Sequence, residues 1–287
     1  MKVMLTGING YLGKSLDRML NISSLEVLGV VRQSHQRNSE KNHIVCDLVD
    51  ISAVAEIGWK FNPDIIIHCA AFVPKRLEDY QNSNLYPQNI QMLKNLVSVF
   101  NCPIVYISSM TVYGESFNVI RKESDAGNPQ SDYGKSKYEC EKVLQESKKD
   151  SIAIRIPGLF GKGRDTGLVA NILKAILFNH DLRLPDSPLI WAAIDVKDAS
   201  NYIFQLALSQ YSGFHAINVG YDEIYSINRL LAICEEICRN KIAYDYDIVH
   251  PNFSYDLSVL RSFNIQPKEG LKRALTNYRN YLLCKHK

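Results

Sequence analysis

The sequence predicts an α/β fold, in which a doubly wound parallel sheet is followed by a small, mostly helical C-terminal region. Short apolar runs of the kind that buried parallel strands show recur through the first half, for example at Ile104–Ser109. Helical patterns alternate with these runs, as they do in a doubly wound sheet. A glycine-rich turn at Gly7–Gly13 joins the first apolar run to the first helical pattern.

The composition is that of a soluble globular protein with an ample core. The chain has 287 residues, 46% hydrophobic and 22% charged, and its net charge of +3 gives no basis for nucleic-acid binding. No apolar run approaches the ~20 residues of a membrane span, and no basic leader precedes the first strand, so we expect neither a membrane segment nor a signal peptide. Seven scattered cysteines indicate reduced thiols in a cytoplasmic protein. We expect no metal site, since Cys234 and Cys238 have helical spacing, lack histidines nearby and fit a core face.

The first strand, Lys2–Thr6, leads into glycines spaced three apart and then into a helix from about Tyr11 to Leu20. Strand, glycine turn and helix in this order are the context of a dinucleotide-binding motif. The glycines permit a tight turn and let the backbone approach a pyrophosphate, which the N-terminus of the helix attracts. The cofactor contacts that we predict here are Gly7, Asn9, Gly10, Tyr11, Leu12 and Gly13.

The second strand, Glu26–Val31, ends at Arg32, and this residue indicates which dinucleotide binds. A carboxylate at this strand end holds the ribose 2′-hydroxyl of NAD, whereas an arginine can hold the 2′-phosphate of NADP. No acidic residue occurs between Arg32 and Glu40. The sequence therefore predicts NADP(H) in preference to NAD(H); the alternative is that Arg32 is a solvated residue at a strand end.

Tyr133 and Lys137 are four residues apart in a helical pattern, so they lie on one face of the helix. A free tyrosine, with a pKa near ~10, is a poor proton shuttle at neutral pH, and we expect a cation beside it to lower that pKa. Such a tyrosine can give a proton to a carbonyl oxygen or take one from a hydroxyl. Ser109, at the end of a strand, can hydrogen-bond the same oxygen. We therefore predict hydride transfer at a carbonyl carbon by a nicotinamide, with Ser109, Tyr133 and Lys137 as the catalytic residues.

Three motifs occur together in this chain: the glycine turn, the segment Ser108–Gly114, and the tyrosine and lysine four residues apart. With them the sequence resembles the extended short-chain dehydrogenase/reductase family, which includes nucleotide-sugar epimerases, dehydratases and reductases. The resemblance runs from Met1 to about Gly220.

The resemblance implies two domains and a partner. A Rossmann-type domain that binds the dinucleotide is expected from residues 1–157 and 191–220, and a substrate-binding domain from residues 158–190 and 221–287. Members of the family are often homodimers, which implies a dimer that pairs the helices carrying Asn89 and Tyr133.

The third and fourth predicted strands are His43–Leu48 and Asp64–Ala71. The residues in them that we predict to contact the cofactor are Asp47, Leu48, Cys69, Ala70 and Ala71. The resemblance assigns the first two to the adenine, while the small size of the other three leaves room for the ribose and the phosphates.

Two nearby residues are interpreted as structural. His68 lies in the fourth strand, and a lone histidine in a strand is more often a satisfied structural residue than a catalyst. Asn89 lies at the start of a helix that ends near Phe100, and the resemblance implies that it packs behind the active site.

The remaining predicted elements fall into two groups. Those of the first domain are a fifth strand at Ile104–Ser109, a polar loop at Glu123–Pro129, the helix of Tyr133 and a sixth strand at Ser151–Pro157. Those that follow are a loop at Gly158–Arg164, a helix at Leu168–Phe178, a segment at Ile190–Asp198 that returns to the first domain, a last sheet strand at Ile217–Gly220, a helix capped by Ser226 and a final helix from about Glu269 to Leu283.

In the family, the segment after the sixth strand meets the nicotinamide amide. The resemblance therefore implicates Pro157 and Leu159.

Departures from the family pattern bear on the reaction and on the substrate. Dehydratases of the family carry adjacent Asp and Glu after the catalytic hydroxyl, where this chain has Met110 and Thr111, so we do not expect dehydration. Sugar-nucleotide enzymes of the family commonly grip the diphosphate with an Asn and an Arg. Gly158 and Leu159 occupy the Asn region here, and Trp191 stands about where the Arg would be.

Three cations, Lys162, Arg164 and Arg183, are candidates to replace these diphosphate contacts. A cation in this region would attract a diphosphate. The alternative interpretation, which the sequence leaves open, is ordinary surface charge.

The leading functional hypothesis is an NADPH-dependent reductase that acts on a 4-keto-6-deoxy nucleotide sugar. The first alternative is a nucleotide-sugar 4-epimerase, which keeps NAD bound and returns the hydride to the opposite face. A second is a carbonyl reductase of a non-nucleotide metabolite, which the missing Asn and Arg keep open. A third is a cofactor-sensing regulator on the same fold, against which the complete set of Ser109, Tyr133 and Lys137 argues.

Overall fold

The computed structural model describes residues 1–32, 42–75, 78–81, 84, 86–114, 119–184, 190–244, 251–267 and 270–285. The residues that follow Arg32, as far as Glu40, lie outside this part of the chain, as does Glu269 at the predicted start of the last helix. The observation that no acidic residue occurs between Arg32 and Glu40 therefore comes from the sequence and not from the structure.

The secondary structure alternates between strands and helices through most of the described chain. The strands are β1 (Lys2–Thr6), β2 (Glu26–Val31), β3 (His43–Val45), β4 (Ile65–His68), β5 (Ile104–Ser109), β6 (Val119–Arg121), β7 (Ser151–Ile156), β8 (Gly158–Phe160), β9 (Ala193–Asp195), β10 (Phe214–Asn218) and β11 (Phe253–Tyr255). The helices are α1 (Tyr11–Ile22), α2 (Ile51–Lys60), α3 (Pro87–Val99), α4 (Asp132–Ser147), α5 (Leu168–Phe178), α6 (Val196–Leu208), α7 (Ile227–Cys238), α8 (Ser258–Ser262) and α9 (Leu271–Lys285). Short 3-10 turns cover Glu78–Gln81, Met110–Tyr113 and Glu123–Asp125.

The large sheet has seven strands in the order β10-β7-β5-β4-β1-β2-β3. Strand β1 pairs in parallel with β2 on one side, where Val3 lies opposite Val27, and with β4 on the other, where Val3 lies opposite Ile65. The chain runs outward from β1 to β3 and then crosses back to β4, so the strand order reverses between β1 and β4. Ligands of doubly wound sheets bind beyond the carboxyl ends of the strands at such a point. The predicted α/β fold with a parallel sheet is confirmed.

The chain divides into two compact units, the first of which comprises residues 1–114, 123–155 and 200–217. This unit contains the large sheet and the helices α1 to α4. Its core includes Met4, Ile66 and Ile104 from the central strands and Leu93 from α3, all of which are fully buried. The apolar runs that predicted the strands are thus buried, as a parallel sheet requires.

The second unit comprises residues 115–122, 156–199 and 218–287. Strands β6 and β11 pair in parallel, and so do β8 and β9, while α5 packs against α7 and α9. The Asn218 side chain donates hydrogen bonds to the carbonyls of Arg121 at 3.1 Å and Asp256 at 3.3 Å, which joins the first and the last segment of this unit. The assignment of cofactor and substrate binding to separate domains stays a prediction.

Two strands are shorter than the sequence predicted. Strand β3 ends at Val45 instead of Leu48, and β4 ends at His68 instead of Ala71. The residues beyond each strand end leave the sheet and line a cleft. Apart from Asp47 they are apolar or small, and a run of such residues looks like the continuation of a buried strand.

One segment predicted as a loop contains a strand. Residues Gly158–Phe160 form β8, in which Leu159 pairs with Ile194 of β9. Its partner comes from a distant part of the chain, and a short segment that begins with glycine gives no local signal of pairing.

Serine side chains cap the starts of two helices, and the sequence predicted the second of these caps. The Ser131 hydroxyl accepts a hydrogen bond from the Gly134 amide at 3.0 Å, which starts α4 just before Tyr133. The Ser226 hydroxyl accepts one from the Arg229 amide at 3.1 Å, which confirms the predicted cap of α7. In the part of the chain that the structure describes, no helix has the length and apolar character to cross a membrane.

Candidate active site

The glycine turn between β1 and α1 has the geometry that the sequence predicted for it. Gly7 has a φ of 69°, and a Cβ atom there would lie 2.6 Å from the Ala70 amide nitrogen. A Cβ atom on Gly13 would lie 2.2 Å from the Gly7 carbonyl oxygen. Helix α1 starts after Gly10, and no side chain caps it. The turn is therefore closed to larger residues, and backbone amides at the helix start can receive an anion.

A cleft of about 260 Å³ opens beside this turn, at the carboxyl ends of the central strands. Of the residues predicted to contact a cofactor, those that line it are Gly7, Gly10, Arg32, Asp47, Leu48, Cys69, Ala70 and Ala71. The predicted Asn9, Tyr11, Leu12 and Gly13 lie in the turn and the first residues of α1, where Leu12 and Gly13 are buried. The reversal point of the sheet and the predicted glycine motif thus meet at one cleft.

Five further residues line the cleft that the sequence analysis did not single out: Val30, Val31, Cys46, Phe72 and Met92. Phe72 directly follows the predicted small residues, so adjacency along the chain could have indicated it. Met92 comes from α3, and the sequence gives no local signal that this helix reaches the cleft.

His68 is structural, as predicted, and fastens β4 to β1. Its Nδ1 lies 2.7 Å from the Thr6 hydroxyl, which also accepts a hydrogen bond from the Ala70 amide at 3.2 Å. Burial, and then the charge of Lys137, lower the pKa of His68 to about 3. The imidazole is therefore neutral at pH 7.

The structure brings the predicted catalytic hydroxyl and phenol together. Ser109 and Tyr133 are 9% and 8% exposed, and the Ser109 hydroxyl lowers the pKa of the nearby phenol, an effect smaller than that of burial. The Ser109 oxygen accepts hydrogen bonds from the amide of Thr111 at 3.2 Å and from its hydroxyl at 3.0 Å. Ser109 is the acceptor in both of these bonds, so neither uses its proton.

Lys137 lies in the same place but is buried more deeply, with only 3% of its surface exposed. Its ammonium donates a hydrogen bond to the Ile107 carbonyl at 2.7 Å and lies 4.7 Å from the ring centre of Tyr106 and 5.7 Å from that of Tyr133. Burial lowers the pKa of Lys137 to about 8. The cation is thus close to the phenol ring, in a position where its charge is costly.

The expectation that Lys137 lowers the pKa of Tyr133 is wrong. We expected the pKa of Tyr133 to be lowered; burial raises it instead, and the nearby Tyr80 and Tyr86 raise it further. The ring of Tyr80 meets that of Tyr133 edge-on at 5.7 Å, and the ring of Tyr86 lies tilted at 5.4 Å. Sequence reasoning missed both tyrosines, because they come from the segment after β4 and carry no motif.

A buried ion pair lies behind these residues. Arg155 of β7 pairs with Glu141 of α4, one helical turn beyond Lys137. The same guanidinium donates hydrogen bonds to the Tyr113 hydroxyl at 3.0 Å and to the Glu123 carbonyl at 2.7 Å. The Arg155 side chain thus connects β7 with α4 and with the two 3-10 turns that contain Tyr113 and Glu123.

The residues predicted to meet the nicotinamide amide and the substrate lie in the second unit, apart from Ser109. Pro157 is buried, Leu159 is half-buried in β8, and the cations Lys162, Arg164 and Arg183 are exposed. The guanidinium of Arg164 donates a hydrogen bond to the Leu159 carbonyl at 3.3 Å. Within this unit the structure therefore places one of the three cations beside a predicted nicotinamide contact.

Trp191, which stands about where the family has an arginine, is a core residue. Its ring is buried and meets the Tyr225 ring edge-on at 5.6 Å. An apolar side chain packed in this way cannot replace a cation.

Known proteins with similar sequences include the following. Methionine adenosyltransferase 2 subunit beta of Bos taurus is 28% identical over 165 residues, which are 56% of this chain and 48% of that protein. The chain spans about half the length of the curated relatives of this name. A dTDP-4-dehydrorhamnose reductase of Aggregatibacter actinomycetemcomitans is 24% identical over 306 aligned positions, covering 98% of this chain and 99% of that protein.

Solved structures share the fold over the whole chain. The UDP-glucuronic acid 4-epimerase of Bacillus cereus, solved with UDP-glucuronic acid and NAD, has a TM-score of 0.81 at 19% identity. The similarity covers 99% of this chain and 100% of that one. At such an identity the likeness concerns the fold.

The model of the NAD dependent epimerase/dehydratase family matches residues 3–220. This is the stretch over which the sequence resembles the extended short-chain dehydrogenase/reductase family, so that prediction is confirmed. The match includes the glycine turn together with Ser109, Tyr133 and Lys137. The predicted class, an NAD(P)-dependent oxidoreductase or epimerase, is confirmed at the level of the family. The chain therefore belongs to the NAD dependent epimerase/dehydratase family.

Proposed function

We propose that this protein is an NADPH-dependent reductase of a keto group, and that its substrate is a 4-keto-6-deoxy nucleotide sugar. The observation that carries the proposal is the buried cluster in which the Ser109 hydroxyl lies near the Tyr133 phenol and the Lys137 ammonium lies 5.7 Å from the centre of the phenol ring. The similarity to a dTDP-4-dehydrorhamnose reductase over almost the whole chain supports the substrate class.

The glycine turn and the cleft fit a dinucleotide. The turn excludes a Cβ atom at Gly7, and the uncapped start of α1 presents amides to a pyrophosphate. Asp47 and Leu48 line the same cleft and are proposed to hold the adenine. When bound, the reduced nicotinamide supplies the hydride that the carbonyl carbon of the substrate receives.

Tyr133 is proposed to supply the proton. The raised pKa keeps the phenol of Tyr133 protonated at neutral pH but makes it a weaker acid, so proton transfer depends on the charge that develops on the substrate oxygen. Negative charge develops on the carbonyl oxygen as the carbon is reduced, and the proton of Tyr133 neutralises it. The hydrogen bond from Ser109 and the charge of Lys137 stabilise the phenolate that is left.

Arg32 is the proposed determinant of the preference for NADP(H). It is exposed at the end of β2 and lines the cleft. A guanidinium can form two parallel hydrogen bonds to a phosphate, which a ribose 2′-hydroxyl cannot match.

Lys162, Arg164 and Arg183 are the proposed contacts to the substrate diphosphate. All three are exposed on the second unit, and their long side chains can reach a phosphate without the cost of burying a charge. Pro157 and Leu159 are proposed to meet the nicotinamide amide. Neither proposal depends on the catalytic roles of Ser109 and Tyr133.

A 4-epimerase is the first alternative. The UDP-glucuronic acid 4-epimerase of Bacillus cereus has the same fold, and the proposed catalytic residues suit hydride removal and return. Such an enzyme consumes no net NADPH and keeps its dinucleotide through the reaction.

A subunit that binds a dinucleotide without turnover of its own is the second alternative. It is favoured by the relatives named methionine adenosyltransferase 2 subunit beta, which match residues over about half of this chain. The presence of Ser109, Tyr133 and Lys137 in one buried cluster argues against it, because a binding function does not need them.

The test is an assay of the purified chain with NADPH and with NADH, on a panel of 4-keto-6-deoxy nucleotide sugars and of UDP-hexoses. We expect NADPH to be consumed in equal amount to a reduced 4-hydroxy sugar, whose configuration is read by NMR. Conversion of a UDP-hexose into its 4-epimer without consumption of NADPH would replace the proposal with the first alternative. Dinucleotide binding without any turnover would replace it with the second.

A further inference from the structure

Phe72 is the cleft residue that touches Arg32. The guanidinium carbon of Arg32 lies 5.1 Å from the centre of the Phe72 ring, which is a cation–π contact. Both residues line the cleft, at the place where β2 ends and the chain leaves β4. The arginine is exposed, so without this ring its side chain would sample many rotamers in solvent.

The backbone of Phe72 is held at both of its polar groups by one side chain. The Asn89 carboxamide accepts a hydrogen bond from the Phe72 amide at 2.7 Å and donates one to the Phe72 carbonyl at 3.0 Å. Asn89 is 2% exposed and belongs to α3, which packs on the core of the first unit. The backbone of Phe72, from which the ring projects, is therefore fixed by a buried side chain of α3.

A guanidinium in contact with one ring can still bind an anion. Arginine carries five N–H groups in a planar fork, and a phosphate uses two of them. An arginine held beside a ring can thus bind a phosphate while it keeps the cation–π contact. Part of the rotamer entropy that binding would cost is already lost in the unbound protein.

We propose that Phe72 is a positioning residue that determines the preference for NADP(H), by holding the Arg32 guanidinium where the 2′-phosphate of the cofactor lies. Asn89 fixes Phe72 for this purpose. The inference rests on the proposed preference for NADP(H) and adds the residue on which that preference depends.

The test measures the dissociation constants of NADP⁺ and NAD⁺ for the wild type and for Phe72→Leu, Phe72→Tyr and Arg32→Ala. The readout is the ratio of the two dissociation constants. NADP⁺ and NAD⁺ differ only in the 2′-phosphate, so a change in the shape of the cleft weakens the binding of both cofactors alike and cancels in the ratio. We expect Phe72→Leu to reduce the preference for NADP⁺ about two- to fivefold, which corresponds to about 0.5–1 kcal/mol for an exposed cation–π contact at 1.4 kcal/mol per tenfold. Phe72→Tyr keeps the ring face and is expected to keep the ratio.

A double-mutant cycle separates the positioning role from general packing. In the Arg32→Ala background, Phe72→Leu is expected to leave the ratio unchanged, since the ring then has no guanidinium to hold. Equal effects of Phe72→Leu in both backgrounds would overturn the inference, as would an unchanged ratio in Phe72→Leu alone. Retained NAD⁺ binding shows that a variant is folded, and Phe72→Met, which also lacks the ring, serves where Phe72→Leu does not fold.

A failure of the proposed preference for NADP(H) can be distinguished from a failure of the inference about Phe72. A wild type that binds NAD⁺ as tightly as NADP⁺ would remove the preference itself and the inference with it. A wild type that prefers NADP⁺, loses the preference in Arg32→Ala and keeps it in Phe72→Leu would remove the inference alone.

Discussion

The guanidinium of Arg155 donates two hydrogen bonds to the carboxylate of Glu141, from Nε at 3.1 Å and from Nη2 at 2.6 Å. Both side chains are at most 4% exposed. The Ser108 hydroxyl donates a third hydrogen bond to this carboxylate at 2.5 Å. The ion pair therefore holds the helix that presents Tyr133 against β7, and the Ser108 hydrogen bond holds the same helix against the end of β5, which presents Ser109.

Replacement of Arg155 with Met is expected to lower the free energy of unfolding by about 3–5 kcal/mol, because Glu141 is then left as a buried charge without its cation. Lys272 and Glu236 provide a matched control, since their ion pair is 56% and 60% exposed. Lys272→Met is expected to cost about 1 kcal/mol or less. Urea unfolding of the two variants measures the difference, and equal losses would show that the buried pair is not an anchor.

The buried ammonium of Lys137 predicts a pH dependence of stability. Burial lowers its pKa from 10.5 to about 8 in the folded chain. Between these values the unfolded chain binds the proton and the folded chain does not, so rising pH favours folding. Below about pH 8 the folded chain bears the full cost of the buried charge, which is about 3 kcal/mol for a shift of this size.

The variant Lys137→Met removes this titration. The wild type is expected to gain stability relative to Lys137→Met by up to about 3 kcal/mol as the pH rises from 8 to 10.5, and urea unfolding across this range measures it. Cysteines and tyrosines remote from Lys137 titrate alike in both proteins and cancel in the difference, and Cys69, whose pKa the charge of Lys137 lowers, still has a pKa raised by burial to about 12, above this range. A difference that does not change with pH would mean that Lys137 is solvated in the folded chain.

The glycine turn is tested by two glycines with the same backbone conformation. Gly7 and Gly213 have φ values of 69° and 70°, but a Cβ atom at Gly7 would lie 2.6 Å from the Ala70 amide, whereas nothing lies within 4 Å of one at Gly213. Both substitutions by alanine carry backbone strain, so their difference isolates the lack of space. We expect Gly7→Ala to cost about 1–3 kcal/mol more than Gly213→Ala in urea unfolding, and to weaken NADP⁺ binding. Equal costs would mean that the turn has room for a side chain.

The thiols of the cleft are predicted to be unreactive. Burial raises the pKa of Cys69 to about 12 and that of Cys46 to about 11, so neither forms appreciable thiolate at neutral pH. Cys284 is exposed in α9 and serves as the internal control. Alkylation with iodoacetamide, followed peptide by peptide in a mass spectrometer, is expected to label Cys284 first. Labelling of Cys69 at the rate of Cys284 would contradict the burial of the cleft wall.

The sequence predicted the part of the site that follows from regular structure. The spacing of Tyr133 and Lys137 on one helix, and the place of Ser109 at a strand end, depend on periodicities that are the same in every protein. The structure puts these three residues together for that reason. The spacing of the glycines likewise predicted a turn that excludes side chains.

The contacts that decide pKa values could not be predicted in this way. Tyr80 and Tyr86 reach Tyr133 from an irregular segment, so their approach depends on backbone turns and rotamers that no local pattern encodes. We therefore expected Lys137 to dominate the pKa of Tyr133, whereas burial among rings raises it. The contact of Phe72 with Arg32 went unpredicted for the same reason, since it joins the ends of two separate strands.

The central claim is that Tyr133 donates the proton to a carbonyl oxygen that is being reduced. The most direct measurement compares the turnover of NADPH with a 4-keto-6-deoxy nucleotide sugar by Tyr133→Phe and by Tyr138→Phe, a matched change on the same helix. Our account predicts that Tyr133→Phe loses nearly all turnover, about 10²-fold or more for a missing general acid, and still binds NADP⁺, whereas Tyr138→Phe keeps both. Turnover of Tyr133→Phe within a few-fold of Tyr138→Phe would contradict it.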